Sequence, residues 1–239
     1  MRTLLFDIDG TLLTIAGGGQ RAFARALHAE FGVQQPDADV IFSGRTDRSL
    51  LVELLQRNSL SPTPEACGRL RRRYLGFFQS ELNTTGGTLM PGARQLLQQL
   101  QNHADVVVAV MTGNFPESAT RKLEHFDLRG YVQWIVGGDL DVHRDDMARR
   151  ASTMISSRYG EKAARDVIVI GDTPADVQCA HAIGARALAV ATGGHSTEQL
   201  QQCDPWCVVE DFRQTDAIVQ TLLGSPARRQ KSPGTERRC

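Results

Sequence analysis

Two aspartates stand two residues apart in FDIDGT, residues 6–11, directly after an apolar run. In an extended strand such residues share a side, so Asp7 and Asp9 would face one way and Ile8 the other. Carboxylates that close repel and raise each other's pKa, so something must offset them. Three further apolar runs end in polar chemistry. Thr112, Gly113 and Asn114 follow the first; Gly138 and Asp139 follow the second, with His143 and Arg144 nearby; Asp172 and, one helical turn on, Asp176 follow the third. In a parallel α/β sheet ligands bind beyond the carboxyl ends of the strands, so these groups would share one rim. Four carboxylates there require positive charge, and oxygen donors with little His or Cys suit Mg²⁺ better than zinc. Mg²⁺ usually keeps a substrate phosphate among its ligands, which implies a small phosphorylated metabolite. The N–H groups of Gly113 and Asn114 with the Thr112 hydroxyl can cradle phosphate oxygens, and Arg144 or its neighbour can neutralise another. These parts suit phosphoryl transfer through an acid nucleophile.

The elements that must position them are strands 2–8, 105–111, 132–137, 166–171 and 186–191, with 206–209 as a candidate sixth. All are nearly continuous in apolar and β-branched residues, as strands buried on both faces are. From the second onward helical patterns separate them. ARQLLQQLQ follows Pro91-Gly92, ESATRKLEHF follows Pro116, DMARRASTMISSRY precedes the fourth strand, and ADVQCAHAIGA follows Pro174. Proline is favoured at a helix start, and strand–helix alternation implies right-handed crossovers in a mostly parallel sheet. The fold class expected is α/β, a Rossmann-like parallel-sheet core. Residues 15–88 break this rhythm with three helical stretches bracketed by GGG (17–19) and NTTGG (83–87). They read as an all-helical cap, 15–88, inserted into a core formed by 1–14 and 89–224. The polar stretch 225–239 reads as a disordered tail.

DIDGT (7–11), MTGN (111–114) and GDTPADV (171–177) resemble, in order and spacing, three motifs of the haloacid dehalogenase-like hydrolase superfamily. With its helical insert, the chain looks like that family's phosphoglycolate phosphatase-like branch. The resemblance implies that Asp7 attacks phosphorus to form an aspartyl-phosphate. It implies that Asp9 protonates the leaving oxygen and then activates water. Asp7, the backbone carbonyl of Asp9 and Asp172 would hold Mg²⁺, with Asp176 in support, and Thr112 would bind phosphate. The family's usual lysine before the last motif is missing from GGDLDVHRDDMARRA (137–151), so Arg144 is assigned as the phosphate-binding cation over His143 or a lysine from elsewhere. In SGRTD (43–47), Asp47 reads as a helix N-cap and Arg45 as a cap residue that reaches the leaving group. Arg71, Arg72 and Arg73 read as a solvated helix face.

The expectation is a Mg²⁺-dependent phosphatase acting on a small phosphorylated metabolite. A phosphomutase of the same build, resembling β-phosphoglucomutase, is the nearest alternative. A dehalogenase would not need Asp9, and a non-catalytic phosphate-binding protein would not need all the acids. The 239 residues carry 27 Lys+Arg against 27 Asp+Glu, a balance that argues against nucleic acid as a partner. The longest apolar run is too short for a bilayer, no signal-peptide pattern is read at the start, and five scattered cysteines suit reduced thiols in the cytoplasm.

Overall fold

The computed structural model describes residues 1–224, so the expected tail at 225–239 lies outside the described residues. Its strands are β1 (Arg2–Phe6), β2 (Leu13–Thr14), β3 (Thr88–Leu89), β4 (Val106–Met111), β5 (Ile135–Val136), β6 (Val167–Gly171), β7 (Arg186–Val190) and β8 (Cys207–Val209). Six of these form one sheet in the order β5-β4-β1-β6-β7-β8, and every pairing in it is parallel. Alternate residues feed two separate apolar layers. Leu4, Phe6, Val108, Val110, Ile168 and Ile170 pack on one side, while Leu5, Val107, Ala109, Val167 and Val169 pack on the other. The apolar runs therefore lack a polar face because neither face meets water. WCVV contributes a sixth strand, and the third is shorter than its sequence suggests, with only Ile135 and Val136 paired.

The helices are α1 (Gly18–Phe31), α2 (Asp47–Arg57), α3 (Pro64–Thr85), α4 (Ala93–Leu100), α5 (Pro116–His125), α6 (Arg144–Tyr159), α7 (Glu161–Ala164), α8 (Pro174–Ala182), α9 (Thr197–Gln201) and α10 (Thr215–Leu223). Pro64, Pro116 and Pro174 stand at helix starts, where a missing N–H removes no intrahelical bond. Gly32 closes α1 at φ +70°, returning its N–H to the His28 carbonyl.

Helices α1 to α3 form the insertion between β2 and β3. Those two short strands pair antiparallel, Leu13 with Leu89 and Thr14 with Thr88, so outgoing and returning chains tether the insertion side by side. The segment read as the loop NTTGG differs: α3 runs on through Thr85, and only Gly86 and Gly87 turn the chain. Phe23 stacks on Tyr74 at 3.9 Å, and Tyr74 meets Phe78 at 5.5 Å and Phe115 at 5.9 Å. Because Phe115 precedes α5 of the sheet domain, this aromatic cluster joins the insertion to the layer beneath it. Among the described residues no helix is long and apolar enough to cross a membrane.

Candidate active site

The register of the sheet brings the motifs level. Phe6 pairs with Val110 on one side and Ile170 on the other, so Asp7, Thr112 and Asp172 leave neighbouring strands at nearly the same height. The Asp7 N–H still donates to the Ile170 carbonyl at 2.9 Å, which holds its backbone to the sheet while the side chain enters the crevice. Gly10 follows at φ +81°, where a Cβ would overlap the Asp172 carboxylate, so this turn requires glycine twice over. One Asp172 oxygen accepts from the Thr11 hydroxyl at 2.9 Å. Asp176 is held hardest. Its Oδ2 accepts from the Thr173 N–H at 3.0 Å and hydroxyl at 2.7 Å, a capping box at the start of α8, and its Oδ1 accepts from Arg144.

Asp7, Asp172 and Asp176 each place a carboxylate oxygen within 4.8 Å of the others, and all three side chains are buried. Burial pushes Asp7 up to about 7; Arg144 opposes this, while the charges of Asp176 and Asp9 add to it. Burial together with Asp176 and Asp7 pushes Asp172 up to about 8, against the Thr11 hydrogen bond. Arg144 is buried, with Asp176 on one side and Asp7 Oδ2 at 3.7 Å on the other. Asp7 Oδ1 is buried and has no hydrogen-bond partner among the described residues. An oxygen-only donor set, a surplus of negative charge and an orphaned carboxylate oxygen fit a hard divalent cation. With both Asp176 oxygens engaged by protein donors, Asp7 and Asp172 are the better placed to ligate it.

The second half of the site is built around a residue that the sequence reading passed over. Lys122 of α5 is 5% exposed in its side chain and donates to Asp9 Oδ1 at 2.7 Å, Asp9 Oδ2 at 2.6 Å and Asn114 Oδ1 at 2.6 Å. Asn114 in turn donates to Asp9 Oδ2 at 2.7 Å and to the Thr112 hydroxyl at 3.0 Å. Asp9 is 41% exposed, in contrast to its buried neighbour Asp7. The two acids thus occupy different surroundings, one among carboxylates and an arginine, the other against a lysine and open to the cavity. Arg144 points into the site, whereas His143 is exposed at the start of α6. A signal for Lys122 existed: it is one of only three lysines in the chain and sits six residues past Pro116, on a helix that begins at the rim.

The SGRTD loop docks directly on the 113–115 turn. Thr46, not Asp47, caps α2, accepting from the Ser49 N–H at 3.2 Å, which corrects the N-cap reading of Asp47. Asp47 is buried instead, and its Oδ2 accepts from the Phe115 N–H at 2.7 Å while its own N–H donates to the Gly113 carbonyl at 2.6 Å. Burial pushes this carboxyl up to about 7, against the Phe115 hydrogen bond and the charge of Lys122. Arg45 lines the cavity, but its guanidinium pairs with Glu53 within α2. Arg71 is not a solvated base: it pairs with Glu117 of α5 at 3.0 Å and lies over the Phe115 ring at 4.7 Å. Between insertion and rim lies a cavity of about 530 Å³, reached by Asp7, Asp9, Thr112, Lys122, Arg144 and Asp172.

Comparison with known proteins gives the family and the fold. Residues 4–190 match the family model described as haloacid dehalogenase-like hydrolase. The "Probable phosphatase IndB" of Dickeya dadantii is 29% identical over 223 residues, covering 92% of this chain and 94% of that protein. A phosphoglycolate phosphatase of Pectobacterium atrosepticum is 25% identical over 234 residues, covering 98% and 97%. A solved hydrolase structure from Pseudomonas syringae superposes with a TM-score of 0.67 at 21% identity, covering 92% of this chain and 99% of that one.

Proposed function

The chain belongs to the haloacid dehalogenase-like hydrolases, and from that premise we propose that it is a Mg²⁺-dependent phosphatase of the phosphoglycolate phosphatase type, hydrolysing a small phosphorylated metabolite through an aspartyl-phosphate. The observation that carries this reading is the split between two adjacent acids: Asp7 buried with a free oxygen, Asp9 held by Lys122 and open to the cavity. An Asp7 oxygen attacks phosphorus, the bond from phosphorus to the ester oxygen breaks, and Asp9 gives its proton to the departing alcohol. Asp9, now a carboxylate, then takes a proton from water as the water oxygen attacks phosphorus. The Asp7–phosphorus bond breaks, releasing inorganic phosphate and restoring the Asp7 carboxylate. Thr112 and the N–H groups of Gly113 and Asn114 orient the phosphoryl oxygens, and Arg144 offsets the charge beside Asp7. Asp7 and Asp172, with the Asp9 carbonyl, would hold Mg²⁺, which supplies charge neutralisation at the phosphoryl oxygens. Asp176 positions Arg144 and the Thr173 turn. The 1–14 and 89–224 core would carry this chemistry and the 15–88 cap would cover it, limiting bulk water.

The names of the two bacterial phosphatase relatives support the reaction class. A cytoplasmic location with no nucleic-acid or membrane partner is part of the same proposal. The test is phosphate release from a panel of phosphorylated metabolites with Mg²⁺. Wild-type protein should turn over at least one member, and Asp7→Asn and EDTA should each abolish release. Equal release by Asp7→Asn would overturn the mechanism.

A further inference from the structure

Resting on the phosphatase reading, we infer that the leaving group of the substrate is an uncharged alcohol with a hydrogen-bond donor that meets Asp47, and that esters carrying a second acidic group are disfavoured. Away from the phosphate cradle the cavity meets apolar side chains, Phe42, Leu50 and Tyr74 from the insertion and Ile15 and Met90 beside its tethers, together with the uncharged polar Gln20 and Ser43. A second anion on the substrate, such as a carboxylate or another phosphate, would be held best by a free cation there. Among the described residues three cationic side chains line the cavity, and each is paired with an acid. Arg144 lies between Asp176 and Asp7, Lys122 binds Asp9 and Asn114, and Arg45 pairs with Glu53.

What the insertion offers in place of a cation is an acid. Asp47 lines the cavity and is buried, yet among the described residues only its Oδ2 has a hydrogen-bond partner, the Phe115 N–H. It is fixed there by its backbone bond to Gly113, so it cannot withdraw without undocking the loop. Above about pH 7, where Asp47 is ionised, a carboxylate brought beside it would set two like charges side by side. A hydroxyl would instead donate to it, and the remaining carbon skeleton would lie on Phe42, Leu50 and Tyr74. Discrimination of this kind is strong, because it sets a satisfied polar pair against an unpaired charge.

Matched esters test this. Ethylene glycol monophosphate against phosphoglycolate, and glycerol 3-phosphate against 3-phosphoglycerate, differ in each pair by a hydroxyl against a carboxylate. With Mg²⁺ present, and at about pH 8 so that Asp47 is ionised, kcat/KM should favour the neutral member of each pair by about tenfold or more. Asp47→Asn, which keeps an acceptor for the Phe115 N–H and removes the charge, should narrow both ratios. Equal or better turnover of the acidic members, or ratios unchanged in Asp47→Asn, would overturn the inference. Parallel assays with 4-nitrophenyl phosphate separate the two levels. Turnover that Asp7→Asn abolishes upholds the phosphatase reading whichever esters win, whereas no phosphate release from any compound overturns both.

Discussion

Buried carboxylates without a cation should make the folded protein acid-loving, and divalent metal should cancel that preference. Asp7 is pushed to about 7 and Asp172 to about 8, each from an ordinary value of 3.8. The unfolded chain releases these protons near pH 4 and the metal-free folded chain holds them three to four pH units longer, so stability falls as pH rises through that window. One such group costs about 1.4 kcal/mol per pH unit. Between pH 5 and 7 a single group therefore removes about 3 kcal/mol. The two share their charges, so the pair removes about 3–5 kcal/mol rather than twice that amount. For a chain of this size that is a fall in Tm of about 10 °C. Asp47, pushed to about 7 from the same ordinary value, adds one further group's slope of the same sign that metal should not touch. Thermal melts in EDTA should thus drop steeply from pH 5 to 7.5. With Mg²⁺ the part of the loss that comes from Asp7 and Asp172 should be reversed, by a gain that grows with pH because the ion binds the deprotonated acids. Asp172→Asn should flatten the EDTA slope and shrink the Mg²⁺ gain. A Tm in EDTA that is level or rising over this range, or a Mg²⁺ gain equal at pH 5 and 7.5, would refute the reasoning.

Lys122→Met should lower kcat by about 10²–10³-fold while leaving the Mg²⁺ thermal gain in place, because it frees Asp9 without touching the three-acid cluster. Unchanged kcat would show that Asp9 needs no such support. Gly113→Ala should undock the insertion loop, since a Cβ there would overlap the Arg45 carbonyl and lie 3.3 Å from an Arg144 nitrogen. A rise in KM of severalfold with a loss of about 1–3 kcal/mol in stability is expected, read from initial rates and melts.

Much of the site was legible because a parallel sheet turns sequence position into spatial position. Asp7, Thr112 and Asp172 each follow a buried apolar run, and level strand ends bring them together whatever the intervening helices do. Lys122 was not legible in that way. It lies mid-helix in RKLEH, where a lysine normally faces water, and its burial depends on the insertion covering α5 from above. Asp47 failed for a related reason. At a helix start an acid serves equally well as cap or first-turn residue, and only the docking of Thr46 and Asp47 on the 113–115 turn decides between them. The paired tethers β2 and β3 are two residues each, too short for any periodicity to betray. The helices of the insertion, by contrast, were legible from their apolar spacing, with α1 closing at Gly32.

The central claim is a covalent bond between phosphorus and Asp7, and trapping it is the most direct test. Enzyme mixed with Mg²⁺ and a substrate from the metabolite panel, acid-quenched during turnover and reduced with borohydride, should yield homoserine at position 7. Peptide mass spectrometry should find that conversion only when substrate was present, and not in Asp7→Asn. Steady phosphate release with position 7 unmodified, or with the label on Asp9 or Asp172, would contradict the account.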